Sequence, residues 1–192
     1  MAPDEPPPLE RVVASSRLYE GRILNLRVDE VELANGRRAK REVVEHGEAV
    51  AIVAVDDGGL VFLVRQYRLA AERSLLEVPA GGIEPGEGAE EAAQRELQEE
   101  TGQRADSLQR LCGFYVSPGF CTEYIHLFLA TGLSPGAAEA DPDEQIGVER
   151  VSLEEALALV ECGEIEDAKS IIGLLIAAKV KGFTIEQENG PC

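Results

Sequence analysis

"GGIEPGEGAEEAAQRELQEETGQ", residues 81–103, contains seven glutamates and a single arginine. Read as a helix over 88–101, it places its alanines and Leu97 on one stripe that would pack against the protein. Glu96 and Glu100 fall in the same stripe with Glu99 at its margin, whereas Arg95 points about 100° away from Glu96. Carboxylates on a packing face need a counter-charge, and this spacing suits a hard, magnesium-type cation. The residues alone therefore predict a metal site, with a structural acid cluster as the alternative.

The composition is that of a globular protein. The chain has 192 residues, 44% of them hydrophobic and 28% charged, enough for one domain and a small appendage. A net charge of −18 disfavours nucleic acid or an anionic membrane as a partner. No apolar run approaches the roughly 20 residues that span a bilayer, and no secretory leader pattern opens the sequence. We therefore expect a cytoplasmic protein whose four cysteines are reduced thiols.

Two hairpins are predicted in the first part of the chain. Asn35-Gly36 lies between alternating strands within 22–45, and a second turn at 56–59 joins the apolar runs 49–55 and 60–67. Further strands are predicted at 74–80, 108–116, 123–131 and 147–152, and further helices at 152–160 and 168–180. Hairpins mixed with a few helices indicate an α+β fold rather than βαβ winding.

The chain divides into four predicted segments: a proline-rich loose tail (1–16), an amino-terminal β subdomain (17–46), a main domain (47–183) and a second tail (184–192). A β appendage as small as 17–46 cannot bury its own apolar face. We therefore expect it to mediate formation of a homodimer.

The acidic stretch resembles the Nudix hydrolase signature G-x5-E-x7-R-E-U-x-E-E-x-G-U, in which U is a bulky aliphatic residue. Eight of its nine defined positions match, and Gln103 departs from the pattern. The matching residues are Gly81, Glu87, Arg95, Glu96, Leu97, Glu99, Glu100 and Gly102. "EVPAG" at 77–81, "VRQYR" at 64–68 and Pro118 are similar to the ADP-ribose pyrophosphatase branch of that family. The resemblance implies a Nudix fold over 47–183, with a mixed β-sheet sandwiched between helices.

The activity that this resemblance implies is hydrolysis of the pyrophosphate of ADP-ribose to AMP and ribose 5-phosphate. Mg²⁺ is the implied cofactor, with Mn²⁺ as a possible substitute. Two alternatives stay open. The substrate could be another nucleoside diphosphate sugar such as GDP-mannose, or the chain could be a non-catalytic nucleotide sensor on the same fold.

Roles for individual residues also follow from the resemblance. Glu96, Glu99, Glu100 and the carbonyl of Ala80 would bind metal. Four positions of the motif would be structural: Gly81, Glu87, Arg95 and Gly102. Residues that would contact substrate are Tyr19, Arg41, Arg68, Pro118 and Glu123, with Arg41 reaching the partner subunit's site.

The general base is predicted outside the acidic helix. The acidic loop at 139–145 precedes a strand and a capped helix, as in related pyrophosphatases, and the resemblance singles out Glu144. Glu99 is the alternative on the helix. Other candidates in the loop are Glu139, Asp141 and Asp143.

Overall fold

The structure is a computed structural model that describes residues 10–136 and 146–182. It divides into two compact units, of which the first comprises Met1–Gly47 with Tyr115–Tyr124. The second unit comprises Glu48–Phe114 with Ile125–Cys192. Within the described residues, no helix has the length and apolar character needed to cross a membrane.

The first unit contains a three-stranded antiparallel sheet in the order β1 (Arg11–Glu20), β2 (Leu24–Glu32) and β3 (Arg38–His46). The predicted turn at Asn35-Gly36 is confirmed, because Gly36 has a φ of +77° and its N–H donates to the Leu33 carbonyl at 2.8 Å. The left-handed conformation explains why glycine suits that position.

The predicted loose tail is wrong for residues 11–16, which form the first half of β1. Arg11 pairs with Glu32 and Ser16 with Val28, so the strand is ordered by its neighbour. Its own sequence, "RVVASSRLYE", carries little apolar alternation. Cross-strand pairing therefore decided a boundary that the sequence pattern placed at residue 17.

The second unit contains the remaining strands and all described helices. The strands are β4 (Ala49–Val55), β5 (Leu60–Arg68), β6 (Arg73–Glu77), β7 (Ala80–Gly82), β8 (Gln103–Tyr115), β9 (Tyr124–Pro135) and β10 (Ile146–Ser152). The helices are α1 (Ala89–Thr101), α2 (Leu153–Glu161) and α3 (Ala168–Val180). These helices were predicted to within a residue at each end.

The seven strands of the second unit form one mixed sheet. Its central order is β10-β5-β4-β9-β8, with β6 paired to β5 and β7 paired to β4. β4 and β9 run parallel, whereas β4 is antiparallel to β5 and β7. β4 is buried along its whole length, which explains its uninterrupted apolar sequence.

Helices cover both faces of this sheet. Ala51, Val53 and Val55 of β4 belong to a core cluster that includes apolar residues of α2 and α3. The alternate residues of β4, Val50 and Ile52 among them, belong to a second cluster with the inner face of α1. The predicted α+β class, a mixed sheet sandwiched between helices with an amino-terminal β sheet, is confirmed.

Candidate active site

α1 begins and ends at glycines that fix its position beside β7. The N–H of Gly88, the N-cap, donates to the Glu91 carboxylate at 2.9 Å. At the other end, Gly102 has a φ of +68° and its N–H donates to the Gln98 carbonyl at 2.9 Å. This left-handed turn leads directly into β8, which begins at Gln103, and it therefore explains why that strand starts earlier than predicted.

The inner face of α1 carries carboxylates beside small apolar residues, as the helical periodicity predicts. Ala92, Ala93 and Leu97 are fully buried, and Glu100 is only 8% exposed among them. The Oε2 atom of Glu100 accepts a hydrogen bond from the backbone N–H of Ala80 at 3.0 Å. A buried carboxylate thus lies against the first residue of β7.

Glu96, one turn before Glu100, lies against the next residue of β7. A Cβ placed on Gly81 would come within 2.1 Å of the Glu96 carboxyl carbon. Only glycine leaves room for the carboxylate at this position. The Glu96 side chain is 13% exposed, so both inner glutamates of α1 are held close to the Ala80–Gly81 backbone.

Arg95 links α1 to the loop that precedes it. Its Nε and Nη2 atoms donate to the two carboxylate oxygens of Glu87, each at 3.0 Å, and Nη2 also donates to the Gly82 carbonyl at 2.9 Å. The paired contact with Glu87 has the geometry in which arginine binds carboxylates most strongly. Glu87 in turn accepts from the Glu84 N–H at 3.0 Å, which ties the loop to itself.

The same guanidinium also contacts Glu96 and Glu99 of α1, which the sequence analysis did not anticipate. Its Nη1 atom donates to Glu96 at 2.7 Å and to Glu99 at 2.9 Å. The prediction that Arg95 points away from Glu96 is therefore wrong for the end of the side chain. A helical-wheel angle describes the Cα–Cβ direction, whereas arginine has a long stem that brings its head to a neighbour.

The charges of this cluster shift the pKa of both partners of the arginine–glutamate contact. The hydrogen bond from Arg95 holds the pKa of Glu87 below its ordinary value, although burial opposes that change. Hydrogen bonds to Glu87 and Glu96 raise the pKa of Arg95. Glu87 and Arg95 are therefore both charged at neutral pH.

The chemistry of the carboxylates fits a hard divalent cation. Glu96, Glu99 and Glu100 carry the carboxylate oxygens that such a cation prefers, and the backbone N–H of Ala80 lies against Glu100. In the described part of the chain, however, no three Asp, Glu, His or Cys side chains are already gathered as a metal site. The guanidinium of Arg95 holds two of these carboxylates, Glu96 and Glu99.

Four of the five predicted substrate contacts lie in the first unit. Tyr19 is 58% exposed on β1, and Arg41 on β3 donates to Glu10 at 2.9 Å and 2.5 Å. Pro118 is exposed in a turn that is closed by the hydrogen bond from the Phe120 N–H to the Ser117 carbonyl.

Glu123, the fourth of these residues, lies beside β3. Its carboxylate is 3.7 Å from Nδ1 of His46, and its side chain is 25% exposed. The neighbouring Thr122 exchanges hydrogen bonds with the backbone of His46 at 2.9 Å and 3.0 Å. Glu123 is therefore held at the end of β3 with part of its carboxylate open to solvent.

Arg68, the fifth predicted contact, lies in the second unit at the end of β5. It makes a paired contact with Glu77, from Nε to Oε1 at 2.8 Å and from Nη2 to Oε2 at 2.7 Å. Its side chain is 39% exposed, whereas that of Glu77 is almost completely buried. Glu144 and the other candidate bases at 139, 141 and 143 lie outside the described residues.

The sequence analysis missed the ionic cluster around Glu77. This carboxylate is 1% exposed and also accepts from Nζ of Lys169, at 2.5 Å. Lys169 donates as well to Asp167, the N-cap of α3, at 2.9 Å. A glutamate between leucines and valine in "SLLEVPA" was the available signal, because a charged residue at a buried strand position requires a partner.

Comparison with known proteins agrees with this site and fold. The family model of the NUDIX domain matches residues 45–172, and that of the nucleoside diphosphate sugar hydrolase N-terminal domain matches residues 10–44. The chain therefore belongs to the Nudix family. The two matches adjoin each other at residues 44 and 45, close to the boundary between the two structural units at Gly47.

Individual relatives are similar over most of the chain. It is 46% identical to the ADP-ribose pyrophosphatase of Bacillus subtilis (strain 168), covering 84% of this chain and 88% of that protein. It is 41% identical to the methanol dehydrogenase activator of Bacillus methanolicus, covering 86% and 90%. A crystal structure of an ADP compounds hydrolase superposes with a TM-score of 0.83 at 26% identity, covering 95% of this chain and all of that one.

Proposed function

We propose that this protein hydrolyses the pyrophosphate bond of ADP-ribose, giving AMP and ribose 5-phosphate. The observation that carries the proposal is the pair of inward carboxylates, Glu96 and Glu100, held against the Ala80–Gly81 backbone. The choice of substrate is supported by the 46% identity to an ADP-ribose pyrophosphatase.

The reaction adds one water across the pyrophosphate. The water oxygen bonds to one phosphorus, the bridging P–O bond breaks, and the two phosphates leave on separate products. Nudix hydrolases in general use divalent metal ions, and we propose Mg²⁺, with Mn²⁺ as a substitute, held by Glu96, Glu99, Glu100 and the Ala80 carbonyl. When bound, such ions neutralise phosphate charge and lower the pKa of water.

The chain's own residues would supply the proton acceptor and the substrate contacts. We propose Glu144 as the base that takes the proton from the attacking water, with Glu99 as the alternative. We propose that Arg68, which is held on Glu77 and partly exposed, contacts an anionic group of the substrate. Arg41, Tyr19, Pro118 and Glu123 are proposed as contacts from the first unit.

We also propose that the active protein is a homodimer formed through the first unit. The described part of β1 is exposed along almost its whole length. Leu18 and Tyr19 on β1, and Ile23 in the turn before β2, are each more than half exposed. Apolar side chains in such numbers on a small sheet favour coverage by a second copy of the chain.

The proposed function is tested by product analysis with a set of site variants. With Mg²⁺, ADP-ribose should give AMP and ribose 5-phosphate faster than GDP-mannose or other nucleoside diphosphate sugars are cleaved. Glu96→Gln and Glu100→Gln should each lower kcat by at least about two orders of magnitude. Glu90→Gln, on the exposed face of α1, is the matched control and should keep kcat.

The outcomes separate the remaining alternatives. If another nucleoside diphosphate sugar is cleaved faster than ADP-ribose, that sugar is the substrate. If ADP-ribose is bound but not hydrolysed, the sensor hypothesis is favoured. Glu144→Gln should lower kcat about 10²–10⁴-fold with KM little changed, if it is the base. If Glu144→Gln lowers kcat only slightly and Glu99→Gln is inactive, Glu99 on α1 is the base instead.

A further inference from the structure

The amino-terminal end of α3 is bound to the strand segment that leads into the candidate metal site. Two neighbouring residues make the contacts. Lys169 donates to the buried carboxylate of Glu77 at 2.5 Å, and the Ser170 hydroxyl accepts a hydrogen bond from the Val78 N–H at 2.7 Å. Ser170 is fully buried, so α3 fixes the last residue of β6, Glu77, and the residue that follows it.

Lys169 occupies a position that local helix energetics disfavour. Asp167 is the N-cap of α3, which places Lys169 in the first turn, where the helix dipole repels a cation. Its side chain is 14% exposed, and its positive charge is paired with the carboxylates of Glu77 and Asp167. The distant contact with Glu77 therefore accounts for a lysine at this position, rather than any preference of the helix itself.

The segment held by α3 runs directly into the backbone of the metal site. After Glu77 and Val78, the Pro79 carbonyl accepts from the Ile52 N–H at 2.9 Å, which secures the chain to β4. The next residue, Ala80, donates its N–H to Glu100 at 3.0 Å, and Gly81 lies against Glu96. Only Val78 and Pro79 therefore separate the glutamate bound by Lys169 from the Ala80–Gly81 backbone that contacts both inner glutamates.

We infer that Lys169 is a positioning residue for the metal site, which acts through Glu77 on the placement of Ala80 and Gly81. Ser170 assists through Val78. This inference deepens the proposed function and depends on Glu96 and Glu100 holding a divalent cation. Removal of the Lys169 charge would loosen residues 77–81, so that the Ala80 backbone no longer meets the glutamates of α1 at a fixed distance.

The role can be measured without turnover, by binding of Mn²⁺ to the full chain in an electron paramagnetic resonance titration. Lys169→Met should weaken Mn²⁺ binding at least about tenfold, and Lys169→Arg should restore it to within about threefold of the wild type. Ser170→Ala, a smaller change, should also weaken Mn²⁺ binding. This variant replaces Lys169→Met in the test if Lys169→Met does not fold.

Ser152→Ala is the control for a loss of stability at the start of a helix other than the one that holds Glu77 and Val78. The Ser152 hydroxyl accepts from the Glu155 N–H at 3.0 Å at the start of α2, as Asp167 does for α3. This variant should be destabilised by the amount that loss of an N-cap costs, with unchanged Mn²⁺ affinity.

Amide hydrogen exchange gives a second, independent result. In Lys169→Met the amide of Ala80 should exchange at least about tenfold faster, while that of Glu155 keeps its rate. In Ser152→Ala the amide of Glu155 should exchange faster, while that of Ala80 keeps its rate.

Several results would overturn the inference. Wild-type Mn²⁺ affinity and Ala80 exchange in Lys169→Met would do so, as would equal losses of affinity in Lys169→Met and Ser152→Ala. If the wild type itself failed to bind Mn²⁺, the metal-dependent function would be wrong, and Lys169 would lose its proposed role with it. Normal binding in the wild type and in every variant would remove only the role of Lys169.

Discussion

Two adjacent glycines, Gly81 and Gly82, have different surroundings that predict different consequences of the same substitution. A Cβ at Gly81 would lie 2.1 Å from the carboxyl carbon of Glu96, whereas a Cβ at Gly82 would meet nothing within 4 Å. Glu96 can move because its carboxylate ends a flexible side chain, so Gly81→Ala should fold normally but displace that carboxylate. We expect kcat to fall at least about tenfold in Gly81→Ala and to change less than about twofold in Gly82→Ala.

Steady-state kinetics at saturating Mg²⁺, with thermal unfolding of both variants, would check this prediction. Equal losses of activity in the two variants would contradict the prediction. They would show that activity depends on the flexibility of the glycine pair and not on the space beside Glu96.

The residues of α1 also show what a helical pattern can and cannot predict. The inward position of Glu96 and Glu100 follows from their spacing relative to Ala92, Ala93 and Leu97, and the structure confirms it. The hydrogen bonds of Arg95 could not be predicted in this way. They depend on the path of the loop before α1, which brings Glu87 and Gly82 to the guanidinium.

Among the secondary-structure elements, the structure confirms both predicted hairpins and all three helices. They could be predicted because turn residues and caps mark their ends in the sequence. Asn35-Gly36 and Ser152 are such local signals. The contact of β6 with α3 is different in kind. Lys169 and Glu77 are 92 residues apart, so only the assembled sheet and helices bring them together.

This contact predicts how the stability of the second unit depends on pH. Burial raises the pKa of Glu77, but Arg68 and Lys169 outweigh it and hold the pKa below its ordinary value of 4.5. The unfolded chain therefore takes up a proton at a higher pH than the folded chain. The stability contributed by Glu77 is fully present above about pH 4.5 and is lost as the pH falls through the lowered pKa of the folded state.

Urea unfolding of Glu77→Gln across this pH range would test the assignment. At neutral pH the variant should lose on the order of 3 kcal/mol, because it leaves two cations without their buried partner. The difference from the wild type should narrow below about pH 4.5, as the wild-type carboxylate becomes protonated. Glu161→Gln, an exposed change on α2, should show no such narrowing, and a constant difference for Glu77→Gln would contradict the prediction.

For the molecule as a whole, the predicted homodimer depends on the exposed apolar side chains of the first unit. Leu18 is 62% and Ile23 is 65% exposed, so burial in an interface would remove a large apolar area from water. Light scattering should give about twice the 20.7 kDa of one chain. The double change Leu18→Glu and Ile23→Glu should give a monomer, since it would place four charges in a two-fold interface.

Activity is expected to follow the oligomeric state, because Arg41 is predicted to reach the site of the partner subunit. The monomeric variant should therefore show a raised KM, and Leu175→Glu, at an exposed apolar position on α3, should stay dimeric with wild-type KM. In the described structure Arg41 is bound to Glu10 within its own chain, and both side chains of this pair are exposed, so solvent screens their attraction. That pair is weak enough for a substrate phosphate to displace Glu10, since phosphate is the more highly charged acceptor. A wild-type monomer with full activity would refute both the dimer and the role of Arg41 across it.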